Sequence, residues 1–324
     1  MCPAPRSVIV LLAIFWSNCA SAQQYAHLRL KAENSLVIAW DGASTDADEN
    51  QITVSDVEGH PVTTLNVLRP VQEARRVGIY DVSARGNLIA VAAVYGSKQG
   101  NRQVHPVASL LLFDFSGRLL SAFALEPSRE IELLAIDGRS NIWTLTDGAG
   151  TGVDPSTVPM VVEYSPEGKI VREVLKRNLF PFHATFNRED IDIGSPAMGY
   201  SSGVVWFWLP GSTDFVTIST SDAKATVMKT QLPKKAGRKE MPLSVARESS
   251  GNVLLQVRED DDQLRPEVQS EVAYYSWSPS TNAWSQFKPG ACEPGRLIGV
   301  SDKGQVHLHY EAGRTTNCIF GEAP

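Results

Sequence analysis

His307 and His309 stand two residues apart in the run Gln305-Val306-His307-Leu308-His309-Tyr310, so on a strand both imidazoles fall on the same side. That spacing offers two metal ligands and needs a third from elsewhere, such as His105 or His183. The plainer reading is two packed or solvated strand histidines. Asp46-Ala47-Asp48-Glu49-Asn50 opens like a calcium loop, but Gln51 stands where the turn glycine belongs and Val57 where the bidentate glutamate belongs, which excludes an EF-hand. A looser oxygen site for calcium is the alternative there to a solvated hairpin tip. Arg258-Glu259-Asp260-Asp261-Asp262 gathers carboxylates between two expected strands. It reads as a solvated loop tip, and its functional version is a cation site or a contact for a basic partner. Ser, His and Asp all occur, but no Gly-x-Ser-x-Gly phrase presents a nucleophile. Neither a catalytic residue nor a metal ligand is assigned, and no cofactor is expected, with calcium or magnesium as the alternatives.

Two cysteines carry the one pairing the sequence suggests. Cys2 and Cys19 fall in a leader: Arg6 gives a positive start, residues 7–16 are almost wholly apolar, and Ala20-Ser21-Ala22 gives the small residues of a signal-peptidase site. The expected division is a signal peptide over residues 1–22 and one domain over 23–324. Lipidation at Cys19 is the rival, but Trp16 and Asn18 precede it where a lipobox wants an aliphatic and a small residue. Cys292 and Cys318 then remain, and a pair in an exported chain favours a disulfide. Secretion or periplasmic export is the expected location. The apolar run is too short to span a bilayer, and no later stretch reaches the ~20 residues a spanning helix needs. The formal net charge is −6, one unit more acidic once Arg6 is lost, which leaves no electrostatic footprint for nucleic acid or an anionic membrane.

These residues sit on a repeating framework. Ala32–Trp40, Ser83–Val91, Asp137–Leu145, Glu248–Leu255 and Ser301–Leu308 each read as a β-rich run, a Gly/Asn turn and a second apolar run. Taking Ser35, Asn87, Asn141, Asn252 and Gln305 as equivalent, the intervals are 52, 54, 111 and 53. The long interval holds two periods, and its missing member is Tyr200–Trp206. Six such units of four strands point to an all-β, six-bladed β-propeller of four-stranded antiparallel blades. The pattern has period two nearly throughout, and no helix is expected.

Strands are expected at 28–31, 36–40, 51–56 and 61–68 in the first repeat, 76–82, 88–95, 110–115 and 119–125 in the second, and 131–136, 142–146, 160–164 and 170–175 in the third. The fourth takes 198–201, 204–209, 215–220 and 225–231, and residues 233–242, rich in Lys and Arg, read as a connection. The last blade has only three strands, at 297–300, 305–311 and 316–320, and is expected to be incomplete. A Cys292–Cys318 bridge would tie it together, worth roughly 3 kcal/mol in the chain-entropy picture. Trp143, Trp206, Trp208, Trp277 and Trp284 are expected between blades. Trp206-Phe207-Trp208 puts two indoles on one face and Phe207 on the other, so one face is a candidate border for a carbohydrate or peptide.

Asp137-Gly138-Arg139-Ser140-Asn141-Ile142-Trp143 and the turn Tyr164-Ser165-Pro166-Glu167-Gly168-Lys169 resemble repeats of six-bladed propellers of the NHL-repeat and virginiamycin B lyase-like types. The likeness covers residues 23–324 as architecture and is clearest over 76–175. The lyase type would imply a histidine base and a magnesium site, and no histidine-centred motif here matches them. A binding or scaffolding module is therefore expected, a monomer that takes a protein or carbohydrate ligand through long loops on one face (95–109, 147–159, 176–196 and 259–271). The alternative is a metal-assisted lyase or hydrolase at the central channel.

Overall fold

The computed structural model describes residues 28–42, 50–67, 76–96, 98–99, 102–103, 107–125, 130–147, 159–176, 198–209, 214–230, 238–261, 271–289, 295–301, 305–310 and 316–322. The chain is an all-β propeller with four-stranded antiparallel blades. The first blade runs β1 (Leu28–Glu33), β2 (Leu36–Asp41), β3 (Gln51–Asp56), β4 (Pro61–Asn66) from inside to outside. The second holds β5 (Arg76–Arg85), β6 (Leu88–Gly96), β9 (Val107–Asp114) and β10 (Leu119–Ala124). Between β6 and β9 lies a small ribbon not expected from the sequence, β7 (Lys98–Gln99) and β8 (Arg102–Gln103). The third blade is β11 (Glu130–Ile136), β12 (Ile142–Asp147), β13 (Pro159–Tyr164), β14 (Ile170–Lys176), and the fourth is β15 (Met198–Ser201), β16 (Val204–Leu209), β17 (Asp214–Ser219), β18 (Ala225–Lys229). The fifth is β19 (Arg238–Arg247), β20 (Val253–Asp261), β21 (Glu271–Ser278), β22 (Ala283–Phe287).

Six separate blades were the expectation, whereas hydrogen bonding groups the blade strands into five sheets. The last three strands, β23 (Arg296–Val300), β24 (Gln305–Tyr310) and β25 (Thr316–Glu322), join the first blade in one seven-stranded sheet. A single parallel bridge, Ala32 to Gly299, makes the join. It depends on glycine: a Cβ at Gly299 would lie 1.9 Å from the Ala32 carbonyl oxygen. The inner strands touch in the order β1, β5, β11, β15, β19, β23 and back to β1, so the ring closes on this contact.

Two-residue turns follow the inner strands β1, β5 and β15, and five-residue turns follow β11 and β19. Asn34 and Ser35 both have positive φ (53° and 63°) between paired Glu33 and Leu36, the backbone of a type I′ hairpin. The period-two pattern is explained by the seams, because each blade is buried on both faces. Ile89, Val91, Leu111 and Phe113 pack toward the first blade, while Leu88, Ala90, Leu110 and Leu112 pack toward the third. Trp206 and Trp208 face the fifth blade with Trp277, and Phe207 faces the third. A fully buried residue of this kind is worth about 1.5–3 kcal/mol.

Two local expectations are corrected. Residues 238–242 continue as strand β19, with a register shift at Pro242, where a proline can be accommodated. The acidic run is strand through Asp261, not a loop tip. Its register sets Lys239 opposite Asp260 and Arg238 opposite Asp261.

Candidate functional site

An inner strand has a free edge toward the neighbouring blade and the channel, and its backbone groups need partners. Polar side chains from adjacent inner strands supply them. From β1, Glu33 accepts from Ala84 N at 2.5 Å through Oε1, and Asn34 Nδ2 donates to Ala84 O at 2.8 Å. From β5, Asp81 Oδ2 accepts from Leu134 N at 2.8 Å and Ser83 Oγ from Ile136 N at 3.1 Å. Between the fourth and fifth blades, Arg247 Nη1 donates to Ser201 O at 3.2 Å and to Ser201 Oγ at 2.5 Å, and Ser202 Oγ to Ser249 O at 3.1 Å. Gln256 does the same for β23, accepting from Leu297 N at 2.9 Å and donating to Gly295 O at 3.1 Å.

One of these links is a buried ion pair. Lys31 Nζ lies 3.1 Å from Asp81 Oδ2 and donates to Leu134 O at 3.0 Å, tying three blades at one point. Both residues are nearly inaccessible, at 1% and 4%. Burial pushes the Asp81 carboxyl up, opposed by Lys31 and by the N–H groups of Leu134 and Val82. Burial also pushes Glu33 up, with Lys31 the main opposing influence.

Above this pair lies a cavity of about 310 Å³ at the channel mouth. Its walls are the last residues of β1, β5, β15, β19 and β23 and the turns after them. Lys31 and Glu33 come from β1, Arg85 from β5, Tyr200 and Ser201 from β15, Arg247 from β19, with Trp206 behind Gly199. The Arg85 guanidinium lies 4.5 Å from the centre of the Tyr200 ring and donates to Asn34 Oδ1. Such stacking holds a planar cation in one orientation. Arg247 differs from Lys31: among the described residues no carboxylate pairs with it. Burial alone depresses its pKa. The arrangement can hold a small polar ligand. It has one carboxylate, Glu33, whereas a hard divalent cation wants several oxygens.

Of the residues singled out for chemistry or ligand contact only Trp206 lines this cavity, and none of the histidine, acidic or cysteine candidates does. His307 is fully buried on β24, with neither ring nitrogen hydrogen-bonded, and burial lowers its pKa. His309 contributes backbone to the same strand, whereas His105 and His183 lie outside the described residues, so no histidine cluster forms among the described ones. Residues 43–49 of the acidic turn also lie outside, and Asn50 is buried. Glu259 is buried and accepts from Tyr275 Oη at 2.8 Å, against the solvated tip expected. A metal-sized group absent from the expectations, Asp56, Glu58 and His60, occupies the exposed β3–β4 turn, where His60 Nδ1 sits 2.9 Å from Asp56 Oδ2. Cys292 lies outside the described residues, and Cys318 is described only as backbone opposite Leu308. Most of the expected loops 147–159, 176–196 and 259–271 also lies outside, whereas much of 95–109 is described as the ends of β6 and β9 and the β7–β8 ribbon. Of the tryptophans, Trp143 is core, its Nε1 donating to Asp137 Oδ2 at 3.0 Å, and Trp206 borders the cavity.

Arg247, Arg85 and Glu33 were missed, yet they had a signal. Each is the last residue of an inner strand, immediately ahead of the turn in a recurring phrase. Equivalent positions in a closed ring converge on its axis.

No family model matches this sequence, and no curated relative does. Solved structures do. A candidate exported protein from Bacteroides fragilis NCTC 9343 is 10% identical over 87% of this chain and 78% of its own, with a TM-score of 0.50. A protein of unknown function from Bacteroides caccae is 14% identical over 83% and 82%, at 0.45. At its identity the likeness to the Bacteroides fragilis protein speaks to the fold alone.

Proposed function

We propose that this chain is an exported propeller that binds a small ligand at the mouth of its central channel and does no chemistry on it. The observation that carries this reading is the cavity itself: about 310 Å³, at the low end of ligand-pocket sizes, with Arg247, which no carboxylate among the described residues pairs, in its wall. Export rests on the leader features of residues 1–22. The ring is read as six modules of residues 23–324, with β23–β25 a three-stranded sixth blade. Support comes from the six inner strands in mutual contact and from the buried clusters at every seam. A Cys292–Cys318 disulfide would brace that short blade, and intact mass before and after alkylation without reductant reads it directly.

The test is a thermal-shift and calorimetric titration with small neutral and charged solutes, run beside Ser249→Trp, which places an indole in the mouth. Ligands that bind the parent and lose binding to the plugged variant support the reading. Ligands that bind both equally overturn it, and turnover of a bound solute would restore the enzyme alternative.

A further inference from the structure

Charge at the channel mouth is unbalanced. Lys31, Arg85 and Arg247 line it, against Glu33 at the wall and Asp81 behind. Asp81 is committed to Lys31, and Glu33 turns one oxygen to the Ala84 N–H. One cation is left over. Among the described residues Arg247 hydrogen-bonds only through Nη1, to the Ser201 carbonyl and hydroxyl. Among the described residues its Nε and Nη2 have no partner, and together they form the planar fork that receives a carboxylate or phosphate side-on. Seryl groups of Ser201, Ser202, Ser249 and Ser301 add short polar contacts around it.

We infer that the cavity selects small oxyanions, solutes bearing a carboxylate or phosphate, with Arg247 the principal contact and the Tyr200-stacked Arg85 the second. This rests on the cavity being the ligand site. A half-buried guanidinium without a counter-charge is costly to keep in a folded protein. An incoming anion removes that cost where the local dielectric is low and the attraction correspondingly strong. A neutral solute of the same size gains only the hydroxyl contacts. At about 310 Å³ the cavity matches a small molecule in size.

Calorimetry on residues 23–324 with D-glucuronate, inorganic phosphate and D-glucose decides it. The expected result is binding of at least one anion, weakening as salt rises, with glucose far weaker. Glucuronate against phosphate separates the two oxyanion sources. Arg247→Gln should weaken anion binding about ten- to a hundredfold, the range for losing a charged hydrogen-bonding partner. Circular dichroism and the ligand-free melting temperature verify its fold. Should that variant not fold, Arg247→Lys, which keeps the charge and loses the fork, should still cost several-fold. Anion affinity unchanged in a folded Arg247→Gln variant overturns the inference, as does the absence of anion binding at millimolar concentration. Glucose binding as tightly as glucuronate, and lost in Ser249→Trp, sinks the oxyanion class while leaving the cavity reading intact.

Discussion

Replacing Lys31 with Met tests whether the ring is held by the polar links between inner strands. The substitution keeps an unbranched side chain of similar reach and removes the ammonium that sits 3.1 Å from Asp81 Oδ2 and 3.0 Å from Leu134 O. Asp81, 4% exposed, is then a buried carboxylate held only by the N–H groups of Leu134 and Val82. Breaking a buried pair by deleting one partner typically costs about 3–5 kcal/mol. At roughly 2 °C per kcal/mol for a domain of this size, the melting point should fall by about 6–10 °C. Lys31→Met combined with Asp81→Asn should lose less than Lys31→Met alone, since the amide oxygen can still accept the backbone donors without leaving a charge. The pH dependence has a definite sign. Burial already raises Asp81, and removing Lys31 raises it further above its unfolded value near 3.9. A carboxyl raised in the folded state contributes stability at pH below its unfolded value and loses it as pH climbs through the folded one. The Lys31→Met deficit should therefore be smaller at pH 5 than at pH 8. Urea midpoints across that range provide the assay. A single variant within about 0.5 kcal/mol of the parent, the scatter of an ordinary surface change, would refute the reasoning, as would a double variant showing strictly additive loss.

Gly299→Ala should open the ring, because its methyl carbon would meet the Ala32 carbonyl oxygen at 1.9 Å. We expect a loss of about 3 kcal/mol, the upper end for single changes, with amides of β1 and β23 losing exchange protection first. A variant that melts with the parent would show that the bridge is dispensable. His307→Leu should stabilise by about 1–3 kcal/mol at pH 7.5, since both unbonded ring nitrogens leave the interior. The folded imidazole is depressed below its unfolded value near 6.5, so stability falls as pH drops through 6.5. The leucine variant should lack that acid-side decline. His60, raised by Asp56 on the surface, acts with the opposite sign and stays in both proteins. An acid limb identical in parent and variant would assign the decline elsewhere.

Local physics wrote most of the architecture into the chain. A run such as Leu88–Val91, apolar on both alternating faces, has to be covered from two sides, and a two-residue Gly-Asn turn fixes where it reverses. The strand positions of the first four blades and the burial of Trp143 and Trp208 followed from such short-range terms. Tertiary structure decided what chain separation conceals. Gly299 looks like any strand glycine until Ala32 arrives against it from the far end of the sequence. Lys31, Asp81 and Leu134 lie on three successive inner strands and meet only because those strands surround one axis. Arg85 and Arg247 likewise read as ordinary strand-end charges, and closing the ring brings them to a common cavity. Electrostatic imbalance is a property of distances, and a linear sequence does not contain them.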